Sequence, residues 1–375
     1  MLFSVCLWWL LRRRSSQIDG PTTKVKCVTC FNLTLTTVSN EKNNNTALPK
    51  FHDLAMQSTL QLNKHTTTLQ NTVTQPGVSY NLPKFSSCAS WNPNGITFAD
   101  YTTVGTHPFA VFVDKNNTVY VSDQDYSRVQ VWREDSVTPT RTLSDYRLIQ
   151  PQGLFVTSNG DIFVSYCSNS QVHKWSWNMT SSVPVVNFSA TCFGLFIDKN
   201  NNLYCSLLSS LQVVMITLGN STNMITNVAG DGSSGTTRNK LLYHYSIFVD
   251  LMLNLYVADC GSNSVLLFQP GQSSGIIVAG IRAAVSFQLH CPTGIVLDAD
   301  GYLFIVDSGN NRIVRSGPNG FRCVVGCSDT SGSASNQLNS PFALSFDSYG
   351  NIFVTDQKNH RVQKFVLATN SCADG

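Results

Sequence analysis

The stretch PFALSFDSYGNIFVTDQKNHRVQKF, residues 341–365, recurs with drift six times along this 375-residue chain. A unit of this size cannot bury its own apolar face, so copies of it have to pack on one another. The copies align on Pro108, Pro151, Cys192, His244, Pro292 and Pro341, each taken as offset zero, with successive starts 43, 41, 52, 48 and 49 residues apart. Offset +2 is small in every copy (Ala110, Gly153, Gly194, Ser246, Gly294, Ala343) and +3 is aliphatic (Val111, Leu154, Leu195, Ile247, Ile295, Leu344). Asp stands at +6 in five copies, with Thr157 the exception. Gly or Asn stands at +9 in five, with Leu253 the exception. Only Gly and Asn take a positive φ cheaply, so +9 predicts the tip of a short hairpin. Offset +12 is aromatic throughout: Tyr120, Phe163, Tyr204, Tyr256, Phe304 and Phe353.

A small residue in the first strand and an aromatic in the second suit sheets packed radially. Strands nearest an axis crowd together, and further out an aromatic fills the widening gap. Strands apolar on both faces fit the same picture, since each sheet lies between two neighbours. The expected fold is all-β, a toroid of six four-stranded blades, or β-propeller.

The motifs Pro-x-small-aliphatic, Gly-Asn-aliphatic-aromatic-Val-x-Asp and Asn-x-Arg-Val resemble the NHL repeat family over roughly residues 85–375. Copies one, five and six match best, with Asp123 and Arg128, Asp307 and Arg312, and Asp356 and Arg361. Copies two and three carry Tyr166 and Gln171, and Leu207 and Gln212, at those places; copy four keeps Asp259 but has Ser264 for the Arg. The resemblance implies NHL-type blades. It implies little about activity, because one fold serves many functions.

Gly275–Gly280, Met224–Gly230 and Arg322–Gly326 read as outer strands, but nothing after copy six does. Trp91–Asp100, ahead of copy one, reads as the missing strand, so the ring is expected to close through the N-terminal side and leave no free edge. Residues 1–14, an apolar run ending in Arg12, Arg13 and Arg14, are too short to span a bilayer. They read as a truncated signal or anchor, a short secretory signal, or an apolar end without a targeting role. Residues 15–84, rich in Thr, Asn and Ser, read as a disordered linker, and 85–375 as the propeller.

Charge narrows the partners. Residues 1–105 carry 9 Lys/Arg and 4 Asp/Glu, whereas 106–375 carry 16 and 18, a net of −2. The propeller thus lacks the basic face that nucleic acid requires.

Twelve cysteines point to an oxidising compartment. Cys167 with Cys192 and Cys260 with Cys291 hold similar places, each a loop of one blade against the start of the next, and are expected to form disulfides. Cys88 with Cys372 is expected to staple the ring, contributing about 3–5 kcal/mol in the chain-entropy view. Cys323 and Cys327 can pair locally, whereas Cys205 reads as a buried thiol. Cys27 and Cys30 form a CxxC without evident partners. Sequons at Asn32, Asn44, Asn116, Asn178, Asn187 and Asn220 are glycosylation candidates, and with the cysteines they favour the secretory route.

For catalysis, His107, His244 and His290 lie at offsets −1, 0 and −2 and are weak metal candidates. The six-bladed, NHL-like amidating lyase places its zinc-binding histidines at +1. Here +1 is Phe109, Gln152, Phe193, Tyr245, Thr293 and Phe342. Calcium lactonases use carboxylates around the axis, but Asp123, Asp259, Asp307 and Asp356 read better as partners of the Arg five residues on. The propeller holds a single Glu, Glu134, so paired-carboxylate chemistry has little to draw on. The reading is a binding or scaffold protein without a cofactor, extracellular or membrane-tethered, that presents a face to a protein, peptide or glycan. The N-terminal segment leaves contact with a membrane open. The alternative is a metal-dependent lyase or hydrolase with zinc or calcium in the central channel.

Overall fold

The computed structural model describes residues 77–146, 149–219, 224–328 and 330–372, all within one compact unit, Pro49–Gly375. Each repeat copy forms one antiparallel four-stranded sheet, giving six blades. In blade 1 the strands run Pro108–Val113, Val119–Asp123, Arg128–Trp132 and Arg141–Ser144 from the axis outward. The inner strands touch in order around the ring, blade 6 against blade 1 included. Blade 6 takes its outer strand from ahead of blade 1. Ile96–Ala99 pairs with Arg361–Phe365, Ile96 opposite Lys364 and Ala99 opposite Val362. The ring therefore closes as the sequence predicts. Ser90–Trp91 adds a second pairing, with Leu367–Thr369.

The repeat grammar has direct packing causes. A Cβ at Gly194 would lie 2.5 Å from the Tyr245 carbonyl of the next blade, and one at Gly294 would lie 2.9 Å from the Phe342 carbonyl. Offset +2 is small because neighbouring backbones meet there. At +9 every copy is left-handed, from Asn117 (φ 56°) to Gly350 (φ 81°). Leu253 is held there too, at φ 66°, against the preference of its side chain. The second strands of five blades, Val119–Asp123 among them, are buried at every residue, as sheets sandwiched on both faces must be.

One pairing rule emerges only in three dimensions. Offset +12 lies directly across from +23: Tyr120 faces Val131, Tyr204 faces Met215 and Tyr256 faces Leu267, while Phe163 faces Lys174, Phe304 faces Arg315 and Phe353 faces Lys364. Where the aromatic is Tyr, its hydroxyl donates to the Asp at +6, as from Tyr120 to Asp114 and from Tyr204 to Asp198, both at 3.1 Å. Where it is Phe, the facing cation takes over. Arg315 meets Asp298 at 3.1 Å and Lys364 meets Asp347 at 3.3 Å, each cation also lying over its Phe ring. Blade 2, with Thr157 at +6, sends Lys174 to Asp161 instead, at 3.2 Å. The Asp at +6 thus has a side-chain donor in each of the five blades that carry it, supplied by phenol or by cation.

Residues 77–84, which the sequence assigns to the linker, cross the end of the channel where the hairpin tips lie. Ser79 accepts from Lys115 N in blade 1 at 3.0 Å and donates to the Val156 carbonyl in blade 2. Asn81 Nδ2 reaches the carbonyls of Asp114 and Phe346, each at 2.9 Å. Pro83 accepts from Ala299, and Lys84 pairs with Asp300 at 3.1 Å. We call this segment the strap and this side the strap face. The opposite side, where inner strands begin, is the loop face. No helix among the described residues is long and apolar enough to cross a membrane. Residues 1–14, Cys27, Cys30, Asn32, Asn44 and Asn220 lie outside the described residues.

Candidate binding site at the channel mouth

All six inner strands aim their +1 side chain at the loop-face end of the axis. Four of the six are aromatic, and their rings form a closed circuit. Centroids are 6.1 Å apart for Phe109 and Phe193, 5.8 Å for Phe193 and Tyr245, 5.3 Å for Tyr245 and Phe342, and 4.0 Å for Phe342 and Phe109. Gln152 and Thr293 complete the ring. Gln152 accepts from Gln124 Nε2 at 2.9 Å, and Thr293 Oγ1 donates to the Phe342 carbonyl at 2.9 Å. Phe109, Gln152 and Thr293 are buried, whereas Phe193, Tyr245 and Phe342 keep part of their surface open. Burial pushes the Tyr245 phenol up to about 12, so the mouth stays uncharged across the physiological range.

The +4 side chains form a second aromatic layer below. Phe112 and Phe155 lie 5.2 Å apart, and Phe155, Phe196 and Phe248 follow at 4.9 Å steps. The strap inserts Tyr80 into this layer, 5.4 Å from Phe196 and 5.3 Å from Phe248. Burial, reinforced by Asp250 and Asp198, raises the Tyr80 phenol well above its ordinary range. Between the two layers lies an axial cavity of about 110 Å³. Ligand pockets for drug-sized molecules run to about 300–1,000 Å³, so this cavity holds a ring-sized group and no more. A larger partner has to sit on the mouth.

The three candidate histidines are not brought together, and none lines the axial cavity. His244 is fully buried in the inner strand of blade 4, where Nε2 donates to the Gln212 carbonyl at 3.0 Å. Burial pulls its pKa down to about 4. His107 is exposed and bonds Asp125 at 2.9 Å, and His290 is exposed beside Gly309. Among the described residues no three His, Cys, Asp or Glu side chains form a set able to hold a metal.

The repeated Asp residues make the ion pairs expected of them. Arg128, Arg312 and Arg361 each donate Nε to Asp123, Asp307 and Asp356 at 2.8 Å, and their outer nitrogens bond loop carbonyls such as Thr103 and Gln288. These pairs pin the loops around the mouth. Blade 4 breaks the pattern. Asp259 is fully buried without an Arg and accepts from Leu242 N (2.9 Å) and Ser262 Oγ (2.7 Å). Burial pushes its pKa up to about 7.

The cysteines also need one correction. Cys260 bonds Cys291 and Cys88 bonds Cys372, while Cys323 bonds Cys327. Cys192, however, bonds Cys205 and not Cys167, and Cys205 is therefore no free thiol. Cys167 is itself disulfide-bonded. The reason is one residue of register. Cys291 sits at −1, ahead of its strand, and can reach across to the neighbouring blade. Cys192 sits at 0, inside the strand, and its side chain meets that of Cys205 on the adjacent strand of the same blade. Asn116, Asn178 and Asn187 are all exposed.

The strap is the part of the site that sequence reading missed. Val78, Tyr80 and Leu82 alternate with polar residues in an otherwise polar stretch, and Phe85 follows; this period of two was the available signal.

No family model matches the chain, and no curated protein matches it. Solved structures do. An auxiliary nutrient binding protein from Bacteroides thetaiotaomicron is 14% identical, with a TM-score of 0.56 over 78% of this chain and 76% of its own. A virginiamycin B lyase from Staphylococcus aureus is 12% identical, with a TM-score of 0.51 over 73% and 98%. A putative gluconolactonase is 11% identical, with a TM-score of 0.54 over 76% and 94%. At such identities the likeness shows a shared six-bladed propeller fold. Four disulfides among the described residues fit a non-cytosolic environment.

Proposed function

We propose that this chain is an NHL-type propeller, extracellular or membrane-tethered, that binds an uncharged segment of a protein, peptide or glycan at the loop-face mouth. The observation that carries this reading is the +1 ring, aromatic and amide-bearing, partly open and without a charged group. Aromatic surfaces of this kind supply large contact area at low entropy cost. The sealed strap end and the small cavity support recognition on the surface over turnover inside the channel. The binding role of the nutrient-binding neighbour agrees with this, and its lyase and gluconolactonase neighbours show that the same fold also serves catalysis. A metal-dependent lyase or hydrolase would have to draw ligands from side chains other than His107, His244 and His290.

The test selects binders to the secreted chain from peptide and glycan libraries, then repeats the selection with Phe193→Ser and Tyr245→Ser. Binders that lose at least tenfold in affinity on both variants support the mouth as the site. Binders indifferent to both substitutions, or one tightly held zinc per chain with turnover of a bound molecule, would overturn the reading.

A further inference from the structure

Two exposed asparagines, Asn116 and Asn178, stand on the strap face, one on each of two neighbouring blades. Asn116 occupies the first hairpin of blade 1, between Pro108–Val113 and Val119–Asp123. Asp114 Oδ1 accepts from the backbone N–H groups of Asn116 and Thr118 at 2.9 Å each, fixing the turn. Asn117 turns its amide inward to Glu134 and Ser348, so Asn116 is the side chain left pointing out. Asn178 occupies the hairpin between Gln171–Trp175 and Val183–Asn187 of blade 2. Successive strands are antiparallel, so the first and third hairpins of every blade emerge on the same face.

The surroundings of Asn178 carry a second signal. Trp177, Met179 and Val183 are exposed at 38%, 47% and 40%, an apolar patch around one amide. Arg133 and Arg141 lie against the Trp177 ring at 5.5 and 5.2 Å, and Arg141 donates to the Met179 carbonyl at 2.7 Å. Trp177 and Met179 flank Asn178 in the chain, so a glycan on that amide stands beside both.

We infer that Asn116 and Asn178 carry N-linked oligosaccharides, and that the glycan on Asn178 covers the patch made by Trp177 and Met179. This rests on the secretory part of the reading above. In the transfer, the Asn Nδ2–C1 bond forms as the C1–O bond to a lipid-diphosphate donor breaks. Nδ2 gives up one proton, and the lipid diphosphate leaves with the electron pair. Both sequons supply the hydroxyl residue, Thr118 and Thr180. The consequence is local: these two glycans screen the strap face beside blades 1 and 2.

The experiment expresses the full chain in a secretory host and releases glycans in heavy-oxygen water with an amidase, which marks each formerly glycosylated Asn as isotopically heavy Asp. Marking of both Asn116 and Asn178 is expected. Asn178→Gln and Thr180→Ala should each lose one glycan and raise the fluorescence of an apolar-surface dye, whereas Asn116→Gln should lose one glycan without that rise. A secreted, oxidised chain with neither asparagine marked overturns the glycan inference and leaves the binding reading standing. A chain that stays reduced in the cytosol overturns both. Marking at both positions with no dye response to Asn178→Gln or Thr180→Ala overturns the coverage of Trp177.

Discussion

The two ends of the axial channel are both closed by aromatic rings, yet by different means. At the strap end, Tyr80 is delivered by a segment whose backbone is hydrogen-bonded to blades 1 and 5, whose Ser79 hydroxyl bonds blade 2, and which continues into the core through Phe85. At the loop end, four side chains meet, and among the described residues no segment crosses over them. A backbone plug can leave only by breaking its hydrogen bonds, whereas side chains can change rotamer. The loop end is therefore the end that can adapt to a partner, and the strap end is architecture.

The sharpest way to break this contrast is to truncate one tyrosine at each end. Tyr80→Ala should cost about 3–5 kcal/mol, the range for an aromatic removed from a packed interior. Tyr245→Ala, which removes a partly open ring, should cost about 1–2 kcal/mol. Urea denaturation measures both, and equal losses would mean that the two ends are energetically alike.

Blade 4 departs from its neighbours at both faces, which gives two finer tests. On the loop face, Asp259 has a folded pKa of about 7 against an unfolded value of about 3.9. The folded state holds the extra proton between those values. The stability this contributes is fully present below about pH 4 and is lost as pH rises through about 7. The difference in stability between wild type and Asp259→Asn should therefore drift by up to about 4 kcal/mol across that window, in the direction that favours the Asn variant at pH 8. Ser264→Arg, which restores the cation that blades 1, 5 and 6 possess, should flatten the drift. Denaturant titrations at pH 4, 6 and 8 decide it, and parallel curves for wild type and Asp259→Asn would remove the buried acid as the cause. On the strap face, Leu253→Gly relieves a left-handed leucine and should stabilise by about 1 kcal/mol, read as a rise in melting temperature. A fall would mean that the leucine side chain gives more in packing than its backbone loses.

Much of the architecture could be read from the repeat. Offsets +2, +9 and +12 report close backbone approach, a left-handed tip and a widening gap, and each is a local demand on a single residue type. The Asp and Arg pairs were legible for the same reason, since five residues separate partners that a tight turn brings together. The disulfide of Cys192 was not, because a shift of one position reverses the direction of a strand side chain, and the alignment alone does not say where the strand begins.

Sequence by itself determined that six like units form a closed all-β ring, because a periodic pattern of small, left-handed and aromatic positions has one radial solution. Only the tertiary structure decided that Tyr80 fills one end and the +1 rings the other. Residue 80 and the Phe residues it meets, 155, 196 and 248, are far apart in the chain, and no local pattern records which face a crossing segment takes. It also decided which group donates to the Asp at +6. Tyr120 with Val131 and Phe353 with Lys364 are equivalent solutions whose two halves sit on different strands, and the equivalence becomes visible only once those strands lie side by side.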